Sequence, residues 1–347
     1  MKNSTLKNYP RMMGFKYDPA DFIWAVTEPL CWDWNVTEAN LTKFTQLGGT
    51  IKQIQRHNLT DWQREQLARL TTQPDQFVAD QLVKAWQGLA ITLPANVELN
   101  EPLQLKINVD SAATPLIVLL NIGANSRLNL TTDFHFTAET PQSSIVFAGE
   151  VAGQLDCRTE WHAEQSGNHL LLGELAVQQS ARCSWTVIPR LRGKLLGNLK
   201  IKLAQPGASG YFYAGSLARQ DDQFNLQTQI QHFAPHTFSR IKMRGGVLFD
   251  NAKMNFTSVG QIEHGAHGAN ADQENRLLTA GPEVLGSANP MLLIDENDVQ
   301  AGHAASIGQY DEEQLYYLQS RGLPLFLAEQ ILINTFMQPV LEGGVVK

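Results

Sequence analysis

Cysteine is scarce in this sequence, and its scarcity excludes two classes of protein. Only three of the 347 residues are cysteines, and they stand far apart, at Cys31, Cys157 and Cys183. An odd number at such spacing excludes a small domain held together by disulfides and any C-x-x-C site for zinc or a cluster. Since unpaired thiols persist in a reducing compartment, we expect the protein to be cytoplasmic.

Long apolar runs and an excess of positive charge are also missing. No stretch approaches the roughly 18 consecutive apolar residues of a membrane-spanning helix. The basic residues near the N-terminus are not followed by the apolar segment of a secretory signal. Charged residues make up only 18% of the chain, and the formal net charge is −7. We therefore expect neither a membrane nor a nucleic acid as a partner.

What is present divides the chain into three zones, of which the first, residues 1–87, is predicted to be helical. In LTDWQREQLARL the apolar residues recur with a period near 3.6, and Thr60 or Asp61 is a suitable N-cap. A second helix is predicted over 74–88, because Pro and Asp open that segment and Gly closes it.

The second zone, residues 88–305, is predicted to be β-structure. Segments of about five to eight residues, such as LQLKINV and SRLNLTTDFHF, alternate apolar and polar side chains between turn residues. The run GGVLFDN is predicted to be a turn between two of them. No long amphipathic helix interrupts the strands, which disfavours a βαβ fold. This pattern leaves open a sandwich, a barrel, a propeller and a β-solenoid, since no repeat of fixed length selects among them.

The third zone, residues 306–347, is predicted to be a helical hairpin. Asp311 with Gln314 resembles a capping box at the start of the first helix. Gly322 is suited to the left-handed cap at its end, and Pro324 prevents its continuation into the second helix, predicted over 324–337. A hairpin this short cannot bury both faces by itself, so it must dock on the β zone or on another protein.

Residues that could carry catalysis or bind metal form no established motif. Neither a G-x-S-x-G elbow nor a G-x-x-x-x-G-K-[ST] phosphate loop occurs. The adjacent Asp221 and Asp222 would point to opposite faces of a strand, which makes them a poor acid/base pair for an enzyme acting on carbohydrate. Six of the nine histidines lie between residues 169 and 303, without a cysteine or carboxylate at a standard ligand spacing. They are His169, His232, His236, His264, His267 and His303.

Two segments resemble a known family. Residues 232–278 follow its pattern H-x-A-P-x-T-x-S, a K-G-V-like turn, a strand with F and G-x-I, and a Gln/Asn/Leu-Leu segment. The matching residues are His232, Ala234, Pro235, Thr237, Ser239, Gly245, Gly246, Val247, Phe256, Gly260, Ile262, Gln273, Asn275, Leu277 and Leu278. Residues 295–336 follow D-D-V-x-x-x-H-G-A-T-x-G and D-x-E-x-x-F-Y-L-x-S-R-G. The matching residues there are Asp298, Val299, His303, Ala305, Gly308, Asp311, Glu313, Tyr317, Leu318, Ser320, Arg321 and Gly322.

With both segments in the same order, the chain resembles the SufB/SufD family of iron–sulfur cluster assembly proteins. The resemblance implies a right-handed parallel β-helix over 88–305, flanked by helical segments at 1–87 and 306–347. It implies a non-catalytic scaffold that binds a SufC-like ABC ATPase through its C-terminal helices and pairs with a SufB-like subunit through its β-helix. The implied contact residues of the hairpin are Leu315, Tyr316, Tyr317, Leu318, Arg321 and Gly322.

Within the family the chain is most similar to the SufD type, because it has no cysteine after Cys183. The resemblance makes His303 a candidate contact for iron or a cluster at the subunit interface, where binding would be transient; we expect no tightly bound cofactor. The cysteine that often precedes this histidine in relatives is replaced here by Gln300, Ala301 and Gly302. Two alternatives stay open, a β-solenoid enzyme acting on carbohydrate and a homodimeric cluster carrier.

Overall fold

The computed structural model describes most of the chain. The described residues are 17–22, 31–71, 87–111, 113–139, 141–249, 251–281 and 283–343. The helix predicted over 74–88 falls mainly on residues 72–86, which lie outside them.

Among the described residues, strands predominate. In chain order they are β1 (Trp32–Val36), β2 (Thr50–Gln55), β3 (Gln87–Leu93), β4 (Leu103–Val109), β5 (Ala113–Ile122), β6 (Arg127–Phe136), β7 (Gln142–Val151), β8 (Gln154–Val177), β9 (Arg182–Leu203), β10 (Ser209–Arg219), β11 (Gln223–His232), β12 (Phe238–Leu248), β13 (Lys253–Ile262), β14 (Ala269–Ala280), β15 (Leu285–Ile294) and β16 (Val299–Gly308). The helices are a short 3-10 helix (Pro19–Phe22), α1 (Glu38–Gln46), α2 (Asp61–Thr71), α3 (Glu312–Ser320) and α4 (Leu325–Leu341).

The strands wind into a parallel β-solenoid with two faces. The first face stacks β3, β5, β7, the C-terminal halves of β8 and β9, β11, β13 and β15. The second face stacks β4, β6, the N-terminal halves of β8 and β9, β10, β12, β14 and β16. Each parallel pair joins one turn of the solenoid to the next. This architecture confirms the mainly β, solenoid prediction and removes the sandwich, barrel and propeller from consideration.

The turns of the solenoid differ in length, which explains why no fixed repeat is visible in the sequence. One column of the second face illustrates this, with successive partners 27, 28, 27, 29, 32 and 30 residues apart. The column consists of Arg127, Gln154, Arg182, Ser209, Phe238, Asn270 and Gln300. Loops of different length at the corners are tolerated because only the strands must stack in register.

Side chains alternate between the interior of the solenoid and its outside, as strand geometry requires. In β6, for example, the burial pattern alternates from exposed or half-buried to buried along all ten residues. The interior is filled by aliphatic and aromatic side chains. Trp185 lies at its centre, with its ring 5.1 Å from that of Phe147 and 5.5 Å from that of Phe212. β8 and β9 are longer than the predicted strands because each continues through a corner of the solenoid. In β8 the corner lies between His162 and Ser166, where the register with β9 shifts.

One predicted turn is wrong. Gly245 and Gly246 lie inside β12, and the turn follows after Leu248. The two glycines are needed there for space: a Cβ on Gly245 would lie 2.2 Å from the sulfur of Met254, and a Cβ on Gly246 would lie 2.6 Å from Leu217. The Gly-Gly pair is therefore required by close packing on both sides of β12.

The N-terminal zone combines helices with strands, although it was predicted to be helical. β1 pairs antiparallel with β4, and β2 pairs antiparallel with β3, so both extend the start of the solenoid. α2 begins at the predicted N-cap: the backbone N–H of Gln63 donates to Thr60 Oγ1 (3.3 Å), and the backbone N–H of Thr60 donates to Gln63 Oε1 (2.9 Å). This reciprocal pair is a capping box. Leu67 and Leu70 of α2 pack on the outside of the first face.

The C-terminal zone forms the predicted helical hairpin. The side chain of Asp311 accepts a hydrogen bond from the backbone N–H of Glu313, and Gly322 has φ +89°, as the left-handed cap requires. α4 packs back on β9, β10 and β12 of the second face. Its Met337 and Val340 fill the space over Gly215, where a Cβ would lie 2.8 Å from Val340. Within the described part of the chain, no helix has both the length and the apolar character that a bilayer span demands.

Candidate functional site

The solenoid ends in an uncovered turn. Among the described residues, β16 pairs only with β14, and β15 pairs only with β13, so each has one free edge. Every residue of β16 is exposed or half-buried, and β15 carries the exposed side chains of Leu285, Leu293 and Ile294. Proteins usually protect such edges with charge, proline or a covering element. β15 carries Pro290, but no described element covers the exposed apolar side chains of this end, which is typical of an interaction surface; we call it the open end.

His303 lies on the interior-facing side of the open end. It stands in register with Gln273 of β14, whose side chain is buried and held from two sides. Ser258 Oγ donates to Gln273 Oε1 (2.7 Å), and Gln273 Nε2 donates to the carbonyl of Met291 (2.9 Å). His303 is exposed because no further turn stacks on β16. Within the described residues, it is not part of any group of three potential metal ligands.

The hairpin presents an apolar surface on the side away from the solenoid. Tyr316 is 75% exposed and Tyr317 is 55% exposed, as their predicted contact role requires. Leu315 and Leu318, in contrast, are half-buried. Leu318 lines a groove between α3 and α4, together with Tyr317, Ile331 and Leu332. Exposed aromatic rings beside an apolar groove suit a partner helix or loop.

Arg321 and Gly322 end α3 and shape this surface. The guanidinium of Arg321 lies 5.0 Å from the centre of the Tyr317 ring, which is a cation–π contact. Ser320 Oγ donates to the carbonyl of Tyr317 (2.7 Å). The S-R-G part of the motif therefore fixes the end of the helix and orients one tyrosine, while Gly322 is exposed.

The structure adds contact candidates that the sequence analysis missed. Four apolar residues of α4 are exposed: Leu325, Phe326, Leu327 and Ile331. The signal that could have found them is the composition of α4. Three consecutive apolar residues followed by more at helical spacing are too many for one buried face. The opposite side of α4 is the one that the solenoid covers.

The histidine of the H-x-A-P-x-T-x-S motif has a structural place. The imidazole of His232 is buried, with Nδ1 2.7 Å from Thr237 Oγ1 and Nε2 2.8 Å from Ser239 Oγ. Thr237 Oγ1 donates its proton to the carbonyl of Ala234 (3.0 Å), so it accepts from His232 Nδ1–H. Nε2 then accepts from Ser239. Burial lowers the pKa of His232 to about 4, which keeps this neutral network intact.

Four other histidines between residues 169 and 303, namely His169, His236, His264 and His267, do not form one site. His169 is buried, bonded to Ser143 Oγ (2.7 Å) and the carbonyl of Arg192 (3.2 Å), and burial lowers its pKa to about 4. The rings of His236 and His267 meet edge to face at 5.3 Å in neighbouring corner turns. His264 is exposed.

Asp222 and the two buried cysteines have structural places in the fold. Asp222 is buried and accepts from the backbone N–H groups of Gly193 (2.8 Å) and Arg219 (3.0 Å), so it holds a corner. Burial raises the pKa of the Cys157 thiol to about 12 and that of Cys183 well above its usual value. Both are therefore neutral thiols in the core, whereas Cys31 is exposed.

One group of potential ligands is brought together only by the fold. Asp133 and His135 of β6 lie beside His162 of β8 on the outside of the second face. Asp133 and His135 stand in the segment DFHF, which is not a ligand motif by itself. The third member of the group, His162, comes from the next turn of the solenoid. No spacing rule read along the chain could have found this group.

The chain was also compared with known proteins. The family described as "SUF system FeS cluster assembly, SufBD core domain" matches residues 107–336. A protein named iron-sulfur cluster assembly protein SufD from Bacillus subtilis is 31% identical over 262 residues, which are 74% of this chain and 60% of that protein. The chain thus spans less than two thirds of the length of that relative.

Two further relatives show the spread of the similarity. The iron-sulfur cluster assembly SufBD family protein slr0076 of Synechocystis is 24% identical over 82% of this chain and 67% of its own length. A protein of Arabidopsis thaliana named Protein ABCI7, chloroplastic, is 26% identical over 48% of this chain and 35% of its own length.

Proposed function

This chain belongs to the SufBD family of the SUF iron–sulfur cluster assembly system, and from this premise we propose that it is a non-catalytic scaffold subunit acting in the cytoplasm. The names of its relatives support a role in cluster assembly. The observation that carries the proposal is the presence of two separate exposed apolar surfaces on one rigid solenoid, the hairpin and the open end. Two such surfaces suit a subunit that joins two different partners.

The hairpin is proposed to bind a SufC-like ABC ATPase. Its contact surface consists of the exposed tyrosines Tyr316 and Tyr317, the end of α3 at Arg321 and Gly322, and the apolar groove beside Leu318. Leu315 is half-buried on the same helix. Tyrosine and arginine are the residue types that most often dominate binding energy at interfaces.

The open end is proposed to pair with a SufB-like subunit. Pairing would cover the free edges of β15 and β16 and the exposed side chains of Leu293 and Ile307. His303 would then face the partner and supply one imidazole to iron or a nascent cluster, as cargo held transiently. Imidazole is an accepted though less common cluster ligand than thiolate.

The two surfaces are mechanically connected. α4 packs on β9, β10 and β12, and the side chain of Arg244 on β12 donates to the carbonyl of Phe336 on α4 (2.9 Å). Closure of the bound ATPases would move the hairpins and through them the second face, which carries β16. Such a shift requires partner contacts that differ between the two states, and the hairpin is placed to make them.

Substitution of the hairpin surface is expected to weaken ATPase binding. Replacing Tyr317 with alanine removes an exposed ring and the support of Arg321, and replacing Phe326 with aspartate puts a charge into the apolar surface. We expect each variant to lose about 2 kcal/mol, or roughly 30-fold in affinity, with the SUF-type ATPase. The measurement is titration of the purified ATPase by calorimetry.

Phe233→Ala is the matched control, since Phe233 is an exposed aromatic residue at a solenoid corner away from the hairpin. It should bind as the wild type does. If Tyr317→Ala and Phe326→Asp also bind with unchanged affinity while their circular dichroism is native, the hairpin is not the ATPase site.

Charge at the open end is expected to abolish pairing with the SufB-like subunit. The double variant Leu293→Lys, Ile307→Lys places two cations on a surface that would become buried, and an unpaired buried charge costs several kcal/mol. We expect loss of the complex in size-exclusion chromatography with light scattering, while binding of the ATPase is retained. Retention of the ATPase shows that the chain is folded and that the two surfaces are separate.

The same measurement on the isolated chain distinguishes the homodimeric carrier. A wild-type dimer that the double variant converts to a monomer would mean that the open end also pairs with itself. A double variant that still binds the SufB-like subunit with wild-type affinity would contradict the proposed pairing surface.

A further inference from the structure

The outside of the second face carries a cluster of two imidazoles and a carboxylate early in the solenoid. Asp133 and His135 are two residues apart on β6, so their side chains share one side of the strand. His162 of β8 stands in register with His135, and the two rings are stacked 4.7 Å apart and only 6° from parallel. All three side chains are about one third exposed.

The donor atoms converge on one carboxylate. His135 Nε2 lies 2.9 Å from Asp133 Oδ2, and His162 Nε2 lies 3.0 Å from Asp133 Oδ1. Nitrogen and oxygen ligands at about 2.1 Å from a tetrahedral or octahedral cation are themselves about 3.0 to 3.4 Å apart. The two imidazole-to-carboxylate spacings match those of ligands around one cation, and a rotation of the stacked, nearly parallel rings would bring both Nε2 lone pairs onto it.

Hydrogen bonding does not account for the cluster. Asp133 Oδ1 and His135 Nε2 are both buried atoms without a hydrogen-bond partner, although each lies close to an opposite member of the cluster. Such atoms are costly unless something satisfies them. A cation placed between the donors would satisfy both at once.

The nearby charges leave the cluster available for a metal. Glu160 lies 3.6 Å from His162 Nε2, but it is engaged by Arg158 (2.6 Å) and Arg190 (3.5 Å).

We infer that Asp133, His135 and His162 form a binding site for a divalent first-row transition metal ion, with the remaining coordination positions open to solvent. Two imidazoles and one carboxylate suit Zn²⁺ or Fe²⁺, whereas Mg²⁺ and Ca²⁺ prefer all-oxygen sites. This site is separate from His303 and does not depend on the proposed partners, because all of its ligands come from this chain.

The test is metal binding by the full chain without an affinity tag, after treatment with a chelator. Calorimetric titration with Zn²⁺, and anaerobic titration with Fe²⁺, should each reveal one tight site per chain. Asp133→Asn, His135→Gln and His162→Gln should each weaken it by more than about 100-fold, since even the loss of an outer-sphere partner costs 10–100-fold. Zn²⁺ should also raise the melting temperature of the wild type and not that of the variants.

His264→Gln is the control, because it removes an exposed histidine outside the cluster. It should bind the metal as the wild type does. The inference is overturned if the wild type shows no tight site, if natively folded cluster variants keep wild-type affinity, or if binding is lost in His303→Ala instead. The three cluster substitutions are independent, so one that fails to fold leaves the others to decide.

Discussion

Acidification from pH 7.5 to pH 4 is expected to lower the free energy of unfolding by about 6 kcal/mol through two buried histidines. Burial lowers the pKa of both His169 and His232 from 6.5 to about 4. Between pH 6.5 and pH 4 these two histidines are protonated in the unfolded chain but not in the folded chain. Their contribution to the free energy of unfolding is therefore complete above pH 6.5 and decreases as the pH drops toward 4. At 1.36 kcal/mol per pKa unit, each histidine accounts for about 3 kcal/mol. That sum is a large part of a typical total of 5–15 kcal/mol.

The contribution of one histidine can be isolated with His232→Gln. Urea denaturation of this variant, followed by tryptophan fluorescence at pH 7.5 and pH 4, should show about half of the histidine-dependent loss removed. His264→Gln is the control, since His264 is exposed and should leave the pH dependence unchanged. A pH dependence in His232→Gln equal to that of the wild type would mean that its imidazole is not held neutral by burial.

Replacing Arg244 with methionine is expected to cost about 2–3 kcal/mol and to release α4 from the solenoid. The guanidinium donates to Glu274 Oε1 (2.9 Å) and to the carbonyl of Phe336 (2.9 Å), and it lies 5.3 Å from the centre of the Phe336 ring. The Arg244 and Glu274 side chains are only 14% and 20% exposed. Removal of the guanidinium leaves the Phe336 carbonyl without its donor and leaves Arg276 (3.0 Å) as the remaining ion-pair partner of Glu274, so the cost is that of the lost charge-assisted hydrogen bonds. Urea denaturation measures the cost, and limited proteolysis of α4 reports its release.

The same strand offers a matched control. Arg240 forms an ion pair of similar length with Asp272 (3.1 Å), but the two side chains are 41% and 49% exposed. Arg240→Met should cost no more than about 1 kcal/mol, because exposed pairs are weak. The double variant Arg244→Met, Glu274→Leu should recover part of the loss, since it removes both buried charges. Equal costs for Arg244→Met and Arg240→Met would show that Arg244 does not anchor α4.

Local features of the chain were predictable because the interactions that form them are close in sequence. The N-cap of α2 at Thr60 and the cap of α3 at Asp311 each depend on a hydrogen bond across two or three residues. The left-handed Gly322 depends on its own backbone. The strands followed from alternation, and the family followed from two ordered motifs.

Other predictions failed or fell short where distant residues decide the outcome. The Gly-Gly pair at 245–246 was predicted to be a turn, but its neighbours Met254 and Leu217 come from other turns of the solenoid and demand a strand without side chains there. The sequence also could not show that the packing of α3 against α4 leaves Leu315 and Leu318 half-buried; their contact role stays a prediction. Phe326 was missed because only docking of α4 shows which of its apolar sides stays exposed.

The sequence by itself determined the mainly β class, the helical hairpin and the family. The alternation of apolar and polar residues, the helix caps and the family motifs are each formed by residues close together in the chain. Only the tertiary structure showed that His303 is exposed on the interior-facing side of the last turn, because no further turn covers it. Only the tertiary structure showed that His232 is a buried structural residue. It alone brought Asp133, His135 and His162 together. The reason is register: parallel strands place residues 26 to 32 positions apart side by side. The corners differ in length, so this interval is not visible as a fixed repeat along the chain.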